Sequence, residues 1–135
     1  MSEDSPRHGA IGVLLDEESH FLVIRRSETV RAPGRLCFPG GGVEPGETQQ
    51  AAVVRELQEE LAITVSPLRK VWENETTSGV RLHWWRVTTA EEPTPNPAEV
   101  AECMWMTAKQ LASDESTLAT NLEFLKALEL GEIRV

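Results

Sequence analysis

Residues 38–63 read F-P-G-G-G-V-E-P-G-E-T-Q-Q-A-A-V-V-R-E-L-Q-E-E-L-A-I, the most informative segment of the chain. A glycine-rich turn over residues 39–46 leads into a predicted helix from about Thr48 to about Leu61. Thr48 suits the N-cap, because its hydroxyl can accept a hydrogen bond from a backbone N–H of the first turn. The helix is amphipathic, since apolar residues recur at steps of three and four. The stripe they form consists of Val53, Val54, Leu57 and Leu61.

Three carboxylates share a neighbouring face of this helix: Glu56, Glu59 and Glu60. Like charges three or four residues apart each destabilise a helix by about 0.2–0.5 kcal/mol, and Arg55 offsets only part of that cost. A divalent cation would convert the repulsion into ligation, because hard cations such as Mg²⁺ prefer carboxylate oxygens. A solvated acidic face is the simpler interpretation of E-x-x-E-E on its own. The wider pattern around it decides between the two.

The fixed spacing extends well beyond the three glutamates. Five residues separate Gly41 from Glu47, and seven more precede the run R-E-L-Q-E-E-L-A-I at residues 55–63. This pattern resembles the Nudix box, in which glycine, glutamate, Arg-Glu, an aliphatic residue, Glu-Glu, glycine and another aliphatic residue stand at these intervals. Every fixed position matches except Ala62, where the family usually has glycine. That position ends the predicted helix, where glycine serves as a left-handed cap.

Length and composition predict one domain. The chain has 135 residues, enough for a hydrophobic core, and its 40% hydrophobic and 26% charged residues are ordinary for a globular protein. We expect a flexible tail at residues 1–8 and a single domain at residues 9–135. A net charge of −9 argues against nucleic-acid binding, which needs clustered lysine and arginine.

The cysteines and the hydropathy of the chain indicate its cellular location. Cys37 and Cys103 lie far apart in sequence, which favours reduced thiols over a disulfide framework. The apolar run at residues 10–15 is too short for a membrane span, and no signal-peptide pattern precedes it. We therefore expect a cytoplasmic protein that does not bind membranes.

Strand-like runs surround the predicted helix. The first two runs are expected to form a hairpin around residues 16–19, and Ser66-Pro67 to break the structure after the helix. The proline-rich residues 91–97 are expected to form a loop without ladder hydrogen bonds. The predicted strands are residues 9–15, 20–26, 36–38, 68–75, 80–89 and 101–106.

Two further helices are predicted in the C-terminal part. Residues 107–110 have the form of a capping box that opens a short helix. The last helix is expected at residues 117–130. Its predicted buried stripe consists of Leu118, Leu122, Leu125 and Leu128. Mixed strands with helices in these places favour an α/β sandwich.

The resemblance implies the same architecture, an α/β/α sandwich in which a mixed β-sheet lies between helices and the box is a loop-helix-loop. It also implies a reaction, the hydrolysis of a phosphoanhydride in a nucleoside diphosphate joined to another group. Because the oxygens of such a bond carry negative charge, catalysis depends on neutralising charge and positioning water. Mg²⁺ held by carboxylates serves both purposes, with Mn²⁺ able to substitute.

The resemblance also assigns residues to the metal and to catalysis. The implied metal ligands are Gly40, Glu56, Glu59, Glu60 and the downstream Glu102. The implied catalytic residues are Arg55, Glu56, Glu59 and Glu60.

The general base varies within the family, so several assignments stay open. Glu59 or Glu60 is predicted here, and Glu99 or Glu102 is the alternative, as base or as an extra ligand. For those two, plain surface charge is an equally good interpretation.

The remaining box positions are assigned to structure. Arg55 is expected to pair with Glu47 so that the glutamates point inward. Gly41, like its neighbour Gly40, is expected to let the backbone approach the metal site.

Outside the box the chain resembles MutT-type nucleoside triphosphate pyrophosphatases. The segment L-C-F-P-G-G at residues 36–41 is close to their W-E-F-P-G-G, although the tryptophan is missing. In these enzymes an asparagine at the start of the last helix reads the base, so Asn121 is a candidate, beside the plainer role of a cap. Trp84 and Trp85 point to opposite faces of one strand, so one belongs to the core and the other could stack on a base. The residues assigned to substrate binding are Arg26, Phe38, Trp85 and Asn121.

Two classes of function follow. The first is a hydrolase of a (deoxy)nucleoside triphosphate, with ADP-ribose, coenzyme A or dinucleoside polyphosphates as alternative substrates. The second is a Nudix-fold module that binds a nucleotide without cutting it. Such modules usually lose box carboxylates, whereas this chain keeps all three. A monomer and a homodimer both suit the fold.

Overall fold

The computed structural model describes residues 7–135, and residues 1–6 of the predicted tail lie outside the described part. The strands are β1 (Arg7–Val13), β2 (Phe21–Arg26), β3 (Leu36–Cys37), β4 (Gly40–Gly42), β5 (Ser66–Glu75), β6 (Val80–Thr88) and β7 (Val100–Met106). The helices are α1 (Gln49–Leu61), α2 (Ala108–Ser113) and α3 (Ala119–Glu129). Because β1 begins at Arg7, the described strand already includes two residues of the predicted tail.

The strands form two sheets. The larger has the order β4-β1-β6-β5, in which β1 and β6 run parallel and the other pairs antiparallel. The smaller has the order β3-β2-β7 and is antiparallel. The prediction of a mixed α/β fold is confirmed, with the strands divided between two sheets.

Two hydrophobic clusters hold the sheets and helices together. In the first, Val53 and Leu57 of α1 pack with Ala10 of β1. In the second, Phe124 of α3 packs with Trp84 of β6. Since helices cover the sheets on both sides, the layers follow the expected sandwich. No helix within residues 7–135 is long and apolar enough to span a membrane.

The predicted hairpin between the first two strands is wrong in its pairing. The turn at residues 16–19 exists, and Leu15 and Phe21 form one isolated antiparallel bridge across it. Beyond that bridge β1 enters the larger sheet and β2 the smaller one. The hydrophobic pattern of each strand is local, whereas the choice of partner strand is not.

Two shorter segments also differ from the prediction. Residues 40–42, expected as part of a turn, form β4 and pair with β1. Ser66 and Pro67, expected to break the structure, belong to β5. Because β5 is an edge strand, it tolerates a proline that cannot donate to a ladder.

The buried face of α3 is rotated relative to the predicted leucine stripe. Its buried residues are Asn121, Phe124, Leu125 and Ala127. Leu122, predicted to be buried, is 39% exposed. The leucine pattern was misleading because the large aromatic Phe124 and the amide of Asn121 occupy the face that meets the sheet.

The helix of the box is confirmed at both ends. Thr48 is its N-cap, and its side chain accepts a hydrogen bond from the backbone N–H of Ala51 at 3.0 Å. At the other end Ala62 adopts the left-handed conformation, with φ 57° and ψ 34°. An alanine therefore takes the backbone conformation for which the family pattern has glycine, and for an L-residue this conformation costs about 1–2 kcal/mol.

Ala62→Gly is therefore expected to stabilise the protein by about 0.5–1 kcal/mol, the strain relieved less the extra entropy of glycine in the unfolded chain. Urea unfolding monitored by circular dichroism measures the change. The matched control is Ala51→Gly, at an exposed position inside the same helix, where about 1 kcal/mol should be lost. If Ala62→Gly and Ala51→Gly lower the free energy of unfolding equally, residue 62 is not strained.

Candidate active site

Arg55 organises the box. Its Nε donates to Glu47 Oε2 at 2.8 Å and its Nη2 to Glu47 Oε1 at 2.9 Å, a two-point pairing that confirms the predicted partnership. Nη2 also donates to the backbone oxygen of Gly42, at 2.9 Å. Nη1 donates to Glu56 at 3.0 Å and to Glu59 at 3.2 Å. The pairing with Arg55 lowers the pKa of Glu47 to about 2.

Glu60 lies on the buried side of α1. It is 7% exposed, and its Oε1 accepts a hydrogen bond from the backbone N–H of Gly40 at 3.0 Å. Burial, together with the negative charges of Glu56 and Glu99, raises the pKa of this carboxyl to about 8, although the bond from Gly40 opposes the shift. A carboxyl held this far from its ordinary pKa, beside other carboxylates, marks a functional site.

Glu56 packs against the glycines of β4. Burial raises its pKa, although Arg55 opposes the shift. A Cβ placed on Gly41 would lie 2.4 Å from the carboxyl carbon of Glu56, far inside contact distance. A side chain at residue 41 would therefore displace the Glu56 carboxylate from its present position. The backbone of residue 41 thus lies close to a carboxylate of the box, and its approach to a metal ion stays a prediction.

The downstream carboxylate that joins the cluster is Glu99, and the choice of Glu102 is not supported. Glu99 is close enough to influence the charges of Glu56 and Glu60. Its Oε2 is buried and has no hydrogen-bond partner among the described residues. Glu102 instead pairs with Arg25 of the neighbouring strand, at 2.9 Å, with 57% of its side chain exposed. The carboxylates that influence one another electrostatically are thus Glu56, Glu59, Glu60 and Glu99.

These carboxylates suit a divalent cation, although within residues 7–135 no three metal-ligating side chains are already gathered as a finished site. Arg55 Nη1 supplies a positive partner to both Glu56 and Glu59. One Glu99 oxygen has no partner among the described residues, and burial with the neighbouring carboxylates raises the pKa of Glu60, so Glu60 favours its protonated form without a cation. Clustered carboxylate oxygens are the ligands of hard cations such as Mg²⁺ and Mn²⁺.

A cavity of about 390 Å³ adjoins the cluster. The strand β4 forms part of its wall and also contacts Glu56 and Glu60, so cavity and carboxylates share one boundary. Other wall residues include Arg26, Arg31, Ile11, Leu82 and Asn121. Two grooves of about 590 Å³ each flank α3, and the residues that line them include none of the predicted site residues. We therefore take the smaller cavity as the candidate substrate site.

Asn121 lines this cavity and also holds the chain that enters the box. The residue is 4% exposed, and its Oδ1 accepts a hydrogen bond from the backbone N–H of Phe38 at 2.8 Å. Its Nδ2 donates to Thr120 Oγ1 at 3.2 Å. Since an amide nitrogen carries two hydrogens, one donor remains for a ligand.

Asn121→Leu is expected to destabilise the protein by about 1–3 kcal/mol, because it leaves the buried N–H of Phe38 unpaired. Asn121→Asp retains the acceptor oxygen and is the matched comparison. Urea unfolding at pH 7 measures both. If the leucine variant is as stable as the wild type, the bond to Phe38 does not contribute to stability.

Of the two aromatic residues assigned to the substrate, Phe38 is among the residues that line the cavity and Trp85 is not. The side chain of Phe38 is 2% exposed and packs edge-on against Trp84 and Phe124, so its ring belongs to the core. Trp84 is fully buried. Trp85, on the opposite face of β6, donates from Nε1 to Gln49 of α1 at 3.0 Å and is not among the residues lining the cavity. Its position argues against the predicted stacking on a base.

The site therefore combines carboxylates on a capped helix with an adjoining cavity, an arrangement that suits a divalent cation beside a bound ligand. Residues 6–128 match the NUDIX domain, and the chain belongs to the Nudix family of hydrolases. Members of this family generally use a divalent metal ion.

Individual relatives agree with this assignment. The chain is 34% identical over 110 residues to the 8-oxo-dGTP diphosphatase of Escherichia coli K12, covering 78% of this chain and 84% of that protein. It is 34% identical over 80 residues to the CTP pyrophosphohydrolase of the same organism, covering 57% of this chain and 59% of that protein. A MutT protein from Methanosarcina mazei Go1 has the same fold, with a TM-score of 0.78, 23% identity and coverage of 93% and 94%.

Proposed function

We propose that the protein is a Mg²⁺-dependent pyrophosphohydrolase that converts a nucleoside triphosphate and water to a nucleoside monophosphate and pyrophosphate. The observation that carries the proposal is that the cavity and the box carboxylates meet at β4. On this strand, Gly40 and Gly41 contact carboxylates of the box, and the same glycines form part of the cavity wall. A substrate whose nucleoside fills the cavity can then place its phosphates beside the carboxylates.

Glu56, Glu59, Glu60 and Glu99 would hold the metal in this proposal. The ion supplies positive charge to the phosphate oxygens and lowers the pKa of a bound water. Arg55 bonds to only one oxygen of Glu56 and one of Glu59, so the second oxygen of each would be available to the ion, while the two bonds from Arg55 to Glu47 keep the helix in place. Glu59 and Glu60 remain the two candidates for the general base.

The cavity supports a nucleotide as the ligand. Its volume of about 390 Å³ lies within the range of small-molecule sites. Arg26 and Arg31 give it positive charge in a chain of net charge −9. The free amide hydrogen of Asn121 can donate to a carbonyl oxygen on a base. The two relatives with triphosphate substrates in their names favour this substrate class over dinucleotides.

The test is a pyrophosphate- and phosphate-release screen with Mg²⁺ and, separately, Mn²⁺. The panel covers canonical and oxidised nucleoside triphosphates, ADP-ribose, diadenosine polyphosphates, coenzyme A and nucleotide sugars. Pyrophosphate release from a triphosphate is the expected result. Activity confined to the diphosphate-linked compounds would keep the metal chemistry and overturn the substrate class.

A second arm separates an enzyme from a binding module. In the variant with both Glu59→Gln and Glu60→Gln, turnover should fall by orders of magnitude while the protein stays folded. If wild type and variant are both inactive across the panel, and calorimetry shows nucleotide binding, the protein is a binding module. A cytoplasmic location and the choice between monomer and homodimer remain predictions.

A further inference from the structure

The C-terminal end of α1 is held by a loop that the sequence pattern marks only as proline-rich. The last carbonyl groups of a helix have no partner within it and need one elsewhere. Here the backbone N–H of Thr94 donates to the oxygen of Leu61 at 2.8 Å, and that of Asn96 to the oxygen of Glu60 at 2.8 Å. The side chain of Asn96 adds a third bond, from Nδ2 to the oxygen of Glu59 at 3.2 Å.

The same asparagine also shapes the chain that follows it. Its Oδ1 accepts a hydrogen bond from the backbone N–H of Ala98 at 3.1 Å. Its backbone oxygen accepts from Glu99 at 3.0 Å and from Val100 at 2.8 Å. These bonds form the compact turn that an asparagine before a proline favours. The turn delivers Glu99 to the start of β7.

Asn96 thus bonds to the backbone of carboxylate residues on both sides of the proposed metal site. On the helix side these are Glu59 and Glu60, and on the loop side Glu99. One oxygen of the Glu99 carboxylate, Oε2, is buried and has no hydrogen-bond partner among the described residues, so no bond to this oxygen holds the side chain in place.

We propose that Asn96 is a positioning residue that fixes Glu99 against Glu59 and Glu60 so that the carboxylates bind one metal site together. This inference rests on the proposed function for the role of the ion in hydrolysis, whereas the binding of the ion can be tested without it. The competing explanation is that Asn96 merely caps a helix. A cap contributes stability, whereas a positioning residue also sets the metal affinity.

Binding of Mn²⁺ alone, measured by electron paramagnetic resonance or calorimetry, tests the proposal. Asn96→Ala is expected to weaken Mn²⁺ binding about 10–100-fold, the usual effect of removing a residue that orients metal ligands. To separate this from lost stability, the same change is made in the Ala62→Gly background, which strengthens the same helix end. The weaker binding should persist there.

Two further variants make the test decisive. Thr107→Ala removes the capping bond of α2, so it should lower stability and leave Mn²⁺ affinity unchanged. Adding Asn96→Ala to Glu99→Gln should weaken binding little beyond Glu99→Gln alone, because Asn96 acts through Glu99.

The proposal is overturned if Asn96→Ala binds Mn²⁺ as tightly as the wild type, or if adding Ala62→Gly restores the Mn²⁺ affinity. It is also overturned if the losses of affinity caused by Asn96→Ala and Glu99→Gln add fully in the double variant. A loss of Mn²⁺ affinity in a protein that hydrolyses no nucleotide would support the positioning role and refute the proposed function. If the wild type hydrolyses a nucleotide and Asn96→Ala binds Mn²⁺ as tightly as the wild type, the proposed function is supported and the positioning role is refuted.

Discussion

Glu60→Gln is expected to lower turnover by about 10²–10⁴-fold, the range for losing a group that acts in proton transfer, while making the metal-free protein more stable. The activity is lost because Glu60 is a proposed ligand and a candidate base. The stability rises because a buried carboxyl beside Glu56 and Glu99 is replaced by a neutral amide. Glutamine keeps an oxygen that can accept the bond from Gly40.

The gain in stability should depend on pH, and its sign follows from the pKa of Glu60. That pKa is about 8 in the folded protein and about 4.5 in the unfolded chain. Between these values the unfolded chain loses its proton while the folded protein keeps it, so the free energy of unfolding falls as pH rises. Below pH 4.5 there is no difference, and above pH 8 the penalty is constant. At pH 7 it is on the order of 3 kcal/mol.

Urea unfolding in EDTA at several values between pH 4.5 and pH 9 measures this effect. The wild type should lose stability over the window, and Glu60→Gln should lose less. Glu129→Gln, an exposed change on α3, is the control and should follow the wild type. Adding Mg²⁺ should stabilise the wild type and not Glu60→Gln. A variant less stable than the wild type at pH 8 would show that the carboxylate is not under electrostatic strain.

The box helix could be predicted because its determinants are local. The cap at Thr48, the apolar steps and the pairing of Arg55 with Glu47 depend on residues within one turn and one helix. Even Ala62, the one departure from the family pattern, keeps the left-handed cap that glycine would provide. The end of the helix thus imposes the left-handed conformation on residue 62, and an alanine adopts it at a cost in stability.

The choice between Glu99 and Glu102 could not be made from sequence. Both stand near the start of the same strand, three residues apart. Glu102 pairs with Arg25 on the neighbouring strand β2. Glu99 follows a loop whose backbone donates hydrogen bonds to the last carbonyl groups of α1. Each assignment depends on a contact between distant parts of the chain. The same holds for β1 and β2, whose adjacency in sequence suggested a pairing that the two sheets do not use.

Trp84→Ala is expected to have the largest effect on stability. Trp84 is fully buried, its ring stacks on Phe124 with centroids 4.3 Å apart, and its Nε1 donates to Asn74 at 2.8 Å. Removing a large aromatic side chain from a core costs about 3–5 kcal/mol. In a domain of this size that corresponds to a fall in Tm of roughly 10–20 °C. Because whole domains are stable by only about 5–15 kcal/mol, part of the variant should be unfolded at 37 °C.

Trp85→Ala is the matched comparison, one residue along the same strand on the opposite face. Its ring is half-buried and bonds to Gln49, so its loss should lower Tm by clearly less. Because Trp85 lies away from the cavity, its replacement should also leave the KM for nucleotide unchanged. Calorimetry and steady-state kinetics on the two variants test both statements. A KM that rises in Trp85→Ala at unchanged Tm would restore the base-stacking role, and it would place the substrate on the α1 side of the sheet.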